Sequence, residues 1–285
     1  MKQIRSVLIL SVAVIFLFLI LPFATQAQSA SSISTVTNNP STSDSLALSL
    51  KYLEEAKAIG KQQADDLVTE NYNKLKSSGK IPVITGPTTI VNADPKTLGG
   101  FTASANSINP NYIIMQFDHQ FSSSHWGTPW FIWQNYDAST HTYQAHAMMT
   151  PVGLGACTSD GWTGFTFTYS GPNGAYYTVT AKGYEQGTTT AAGVGSGSTE
   201  IDYVIKDDNT GAINSQVVYS VTETGIGFDL DNKAINRMMS QAFTTGHTYS
   251  IYFRIVNSAA LAGTGTGNSD YYDNGGLWMD SVTLQ

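Results

Sequence analysis

The sequence predicts a mainly β chain: an antiparallel β-sandwich preceded by one long amphipathic helix. Three observations carry this. From Ile81 onward, β-branched and aromatic residues alternate with polar ones in short runs broken by Gly, Pro, Asn and Asp. Between Ser45 and Lys76, apolar residues instead recur every three or four positions. Charged residues make up only 12% of the 285, about half the usual share, and 26 glycines fill part of the gap.

In chain order, the first element is a targeting segment. Lys2 and Arg5 precede an apolar run from Val7 to Leu21, Pro22 closes it, and Thr25-Gln26-Ala27 offers small residues for cleavage. Residues 1–27 therefore read as a secretory signal peptide, with an uncleaved anchor as the alternative. The mature chain is expected outside the cell, with no membrane segment after cleavage. Residues 28–43 carry no charge and are rich in Ser and Thr, which suits a tether. Ile33 and Val36 give that tether a β-prone core able to pair with the open sheet edge of another subunit.

Residues 44–80 form the predicted helical segment, with Ser43 or Asp44 as N-cap. Leu46, Leu50, Leu53, Gly60, Ala64, Leu67 and Leu75 make one stripe, and six acids balance six bases on the other faces. The stripe can pack on its own domain or form a coiled-coil stalk. Gly60 and the alanines favour the first.

Residues 81–285 read as one β-sandwich domain. Strands are predicted over 112–121, 130–136, 142–149, 162–169, 175–184, 199–206, 212–223, 247–256 and 276–284. Lys206-Asp207-Asp208-Asn209-Thr210-Gly211 supplies a hairpin turn. A short helix is predicted over Asp231–Ala242, with Asp231 as its cap, and the Gly-rich stretches 187–197 and 263–267 read as loops. Many antiparallel strands with turns between them suit a jelly-roll-like sandwich.

The ending Tyr271-Tyr272-Asp273-Asn274-Gly275-Gly276-Leu277-Trp278-Met279-Asp280-Ser281-Val282-Thr283-Leu284 resembles the closing loop and strand of jelly-roll carbohydrate-binding modules. The resemblance implies a sandwich fold and a polysaccharide partner.

The densest ring cluster runs from His125 to Tyr136. If Pro129 opens a strand, Trp130, Ile132, Gln134 and Tyr136 share one face, and Phe131 and Trp133 the other. Flat aromatic faces stack on sugars, so Trp126, placed in a loop, Trp130 and Tyr136 are the candidate binding rings. Trp133 reads as core. Asp270 and Asp273 are the candidate calcium ligands, being the acids without a local turn or cap to explain them.

Several classes drop out. A net charge of −7 argues against nucleic acid, and the single Cys157 excludes an intramolecular disulfide or a cysteine zinc knuckle. No Gly-x-Ser-x-Gly, His-Glu-x-x-His or phosphate-loop motif occurs. His141 and His146 face opposite ways on a strand and cannot share an ion. Glu185, Glu200 and Glu223 fall on different predicted strands, without the close spacing of sandwich glycosidases. The reading is a secreted, non-enzymatic binding protein for carbohydrate or another cell-surface ligand. The alternatives are a self-associating filament or surface-layer subunit joined by edge-strand addition, and a secreted glycosidase or glutamic peptidase.

Overall fold

The computed structural model describes residues 41–93, 112–137, 142–272 and 275–285. The predicted signal peptide, nearly all of the tether, His141 and Asp273 lie outside the described residues. Helix α1 spans Thr42–Ser78. Its cap is Ser41, two residues before the expected Ser43: the Ser41 hydroxyl accepts from the Asp44 amide, and the Asp44 carboxylate accepts from the Ser41 amide. Gly79 ends the helix in the left-handed region at φ 64°, where a residue without Cβ is least strained.

Among the described residues twelve strands follow: β1 (Val83–Ile84), β2 (Thr88–Asn92), β3 (Tyr112–Met115), β4 (Asp118–Thr128), β5 (Phe131–Asp137), β6 (Thr142–Met149), β7 (Val152–Tyr169), β8 (Ala175–Asp207), β9 (Ile213–Thr224), β10 (Gly227–Phe243), β11 (Thr248–Tyr271) and β12 (Gly276–Leu284). The expected mainly antiparallel β architecture is present. β1 with β7 and β2 with β3 are parallel.

β8 and β11 are long enough to serve two layers. The first layer runs β4–β7–β11–β8–β9, using the N-terminal part of β11 and the C-terminal part of β8. The second runs β5–β6–β11–β8–β10, using the other ends of the same two strands. β12 takes over from β11 beside β6 and β8, and β2 and β3 extend from β12. The β8–β11 register shifts between Leu261 and Gly265, and Gly193 there has φ 65°. A bulge and a left-handed glycine let both strands turn the corner together.

Two expectations fail here. The stretches 187–197 and 263–267 are parts of β8 and β11, not loops. Their glycines lie where another strand or ring comes too close for a Cβ: one at Gly187 would sit 2.3 Å from the Tyr271 ring, and one at Gly195 2.2 Å from the Thr266 backbone. Residues 231–242 are likewise not a helix but the heart of edge strand β10. Its buried residues Asp231, Ile235, Met239 and Phe243 are spaced by four, a spacing that fits both one face of a strand and roughly one turn of helix.

The core lies between the layers: Phe165, Phe167, Ile251, Phe253 and Ile255 from the first meet Tyr143, Val179, Ala181, Leu277 and Val282 from the second. Helix α1 covers the outer face of the first layer and packs on its own sandwich. Leu53 and Ala56 meet Ala156 and Ala260, and Val68 meets Trp162, Val204 and Tyr252. Gly60 marks the closest approach, since a Cβ there would fall 2.7 Å from Thr158 and Val256. Charges are enclosed as well. Arg254 Nη1 reaches Asp65 of the helix at 2.6 Å, and its Nη2 reaches Asp202 at 2.6 Å. Lys57 and Lys61 both engage Glu200.

Candidate carbohydrate-binding face

The outer face of the second layer has no helix among the described residues. Directly opposed residues of an antiparallel pair share a face, so the registers build this surface row by row. One row is Trp133, His146, Asp270, Thr188 and Leu230. The next is Phe131, Met148, Asn268, Thr190 and Phe228. Each row crosses β5, β6, β11, β8 and β10, a width of roughly 19 Å at the usual strand spacing.

Rings and aliphatic groups flank the rows. Phe131 and Trp133 are 40% and 41% exposed on β5, and Phe228 and Leu230 are 68% and 63% exposed on β10. The Phe131 and Trp133 rings are nearly parallel, 6° apart with centroids at 5.9 Å. Trp133 also lies against the His146 ring at 4.8 Å, which restrains it from the inner side.

Between the flanks runs a polar chain. His146 Nε2 lies 2.6 Å from Asn268 Oδ1, so that nitrogen carries the proton, and the Asn268 amide donates to Thr190 Oγ1 at 3.3 Å. His146 Nδ1 faces Asp270 Oδ1 at 3.9 Å, while that oxygen accepts from the Tyr272 amide at 2.9 Å. On the adjoining row, Asn135 donates to Gln144, which donates to the Tyr272 carbonyl. The surface offers flat apolar planes on either side of amides, hydroxyls and one imidazole. Such chemistry suits a polyhydroxylated, largely uncharged ligand.

The rings singled out by sequence do not converge. Trp126 belongs to β4, not to a loop, and is half-buried on the other outer face, packed on the cluster that Leu53 and Ala56 of α1 form with Ala156 and Ala260. Trp130 is 37% exposed and stacks on His125 at 3.5 Å, and Tyr136 stacks on His119 at 3.5 Å. Both point toward β4. The parity expected along β5 is the one observed, but the outward side is that of Phe131 and Trp133, so Trp133 is not core. Phe228 and Leu230 fell between the predicted strand 212–223 and the expected short helix, in no predicted element. His146, Asn268 and Thr190 carried no local signal, because only long-range register joins them.

The carboxylates are accounted for elsewhere. Glu200 is held by two helix lysines, Glu185 is buried between the layers, and Glu223 lies against Gly227. Among the described residues, no three His, Cys, Asp or Glu side chains gather as a metal site, and no helix is long and apolar enough to cross a membrane. Asp270 is 8% exposed, on the face just described.

No family model and no curated protein matches the sequence. Among solved structures, the chain is similar to the enzymatically active domain of tailspike protein 4 of bacteriophage CBA120, with 13% identity and a TM-score of 0.22 over 55% of this chain and 19% of that one. It is similar to the CBM22-1–GH10 modules of Clostridium thermocellum xylanase 10B at 12% identity and a TM-score of 0.20, over 57% of this chain and 26% of that one. It thus spans about a fifth and a quarter of those two structures. A family 11 carbohydrate-binding module from Clostridium thermocellum gives 10% identity and a TM-score of 0.22 over 70% of this chain and 96% of the module. Other similar structures include modules of families 61 and 22, again at low TM-scores.

Proposed function

We propose that the mature chain is a secreted, non-enzymatic protein that binds an extended, uncharged polysaccharide across the outer face of the second layer. The observation that carries this is the parallel, part-exposed Phe131–Trp133 pair beside the His146–Asn268–Thr190 chain. Rings held by a strand and by a neighbouring side chain lose little entropy on contact. Affinity electrophoresis of the wild type against a panel of neutral glycans tests it, with Trp133→Ala and Trp130→Ala in parallel. Retardation lost with Trp133→Ala and kept with Trp130→Ala supports the face. Retention lost only with Trp130→Ala moves the site to the β4–β5 edge.

A second reading is assembly through β10. Among the described residues this strand pairs only with β8, and its outward side presents Phe228, Leu230 and Met238, all exposed. An open, apolar edge invites strand addition. Light scattering of the purified mature chain separates the two, since a monomer that retains glycan binding removes the assembly reading. Calcium at Asp270 and Asp273 is a subsidiary proposal, and a melting temperature unmoved by calcium or chelator removes it.

A further inference from the structure

β9 and β10 are the edges of the two layers on one side of the sandwich, and several ionisable side chains gather between them. Glu185 of β8 is 2% exposed and Asp231 of β10 is 1% exposed, both pointing inward. From β11, the Tyr271 hydroxyl donates to Asp231 at 3.3 Å. The Tyr271 ring occupies the space that a Cβ on Gly187 would fill, and Gly187 is the residue opposite Asp231. From β9, Tyr219 donates to Asp229, and the Val218 carbonyl accepts from Arg237 at 3.1 Å. From β12, the residue opposite Glu185 is Leu277, which brings no charge.

Cations are present, but they look elsewhere. Lys233 stands opposite Glu185 in the register, yet its ammonium lies 2.8 Å from Asp231 and over the Tyr219 ring, with the side chain largely in solvent. Arg237 is occupied with the β9 backbone. Among the described residues, no lysine or arginine forms an ion pair with Glu185, and its Oε2 has no hydrogen-bond partner. Lys233 meets the charge of Asp231 alone, and a second buried carboxylate with no cation of its own is unfavourable, so the geometry calls for a proton on Glu185.

We propose that this cluster is an acid latch: Glu185, held as the neutral acid beside ionised Asp231, keeps β9 and β10 together, and loss of its proton loosens that side of the sandwich. The electrostatics agree. Burial first, then the charge of Asp231 and the hydrogen bond to it, push Glu185 up to about 8 from 4.5. Burial first, then Asp229 for Tyr219 and Asp231 for Tyr271, raise both phenols, so both hydroxyls stay donors. With the folded value raised, the contribution is fully present below 4.5 and is lost as pH climbs through about 8.

Urea unfolding of the full chain from pH 4 to 9, wild type beside Glu185→Gln, tests this. The wild-type unfolding constant is expected to rise by up to about tenfold per pH unit across the window beyond what the variant shows. Amide exchange of β9 and β10, corrected for intrinsic rates, should increase above pH 8 in the wild type only. Equal pH slopes in the two proteins overturn the latch. If Glu185→Gln does not fold, Asp231→Asn serves: removing the neighbouring charge should move the window to lower pH, and an unmoved window overturns the proposal.

Discussion

The two outer faces of this sandwich are laid on the same pair of long strands and are finished in opposite ways. On the first layer, helix α1 encloses Trp162, Val204 and Tyr252 together with Arg254, Asp202 and Asp160. On the second, Phe131, Trp133, Phe228 and Leu230 stand in solvent around a satisfied polar chain. The difference teaches that apolar side chains on a sheet do not report their use by themselves. What distinguishes the faces is whether an element of the same chain is cut to fit them, as α1 is by Gly60.

Breaking the covered face should have the largest effects. Arg254→Ala leaves Asp65 and Asp202 without their shared guanidinium, and should cost about 3–5 kcal/mol in denaturant unfolding. Gly60→Val forces the helix off Thr158 and Val256, and should cost about 1–3 kcal/mol by the same measurement. Both variants should retain whatever glycan binding the second layer has.

A pH experiment sharpens the same contrast. Asp160 is fully buried beneath α1, accepts a hydrogen bond from Ser122, and is pushed up to about 7 by burial. Its folded value lies above its ordinary 3.8, so its contribution is present below 3.8 and declines as pH rises through about 7. Asp160→Asn should flatten the stability profile in that window and leave glycan retention unchanged, measured by unfolding and affinity electrophoresis side by side. The smallest expected change in stability belongs to the bare face. Trp133→Ala should alter stability by no more than about 0.5 kcal/mol, as an exposed substitution, while abolishing retardation by glycan. A large loss of stability instead would make Trp133 part of the packing and erase the contrast.

How much of this was legible in sequence follows from the range of the signal. Strands such as β6 and β12 alternate locally and were readable. β10 was not, because its buried residues recur every fourth position and satisfy two periods at once. The Gly-rich halves of β8 and β11 were not readable either, since glycine marks close backbone approach as readily as a loop. The parity of β5 was visible, but which side met the core depended on β4, a strand from the other layer. The row from Trp133 to Leu230 draws on five strands, and nothing within any one of them announces it.

The shared strands have a mechanical consequence. β8 runs unbroken for 33 residues and β11 for 24, so each is a single beam passing through both layers. Neither layer can be peeled away and leave the other a complete set of strands. A pull applied at the bare face is transmitted along covalent backbone to the strands beneath the helix, spreading the load over both layers.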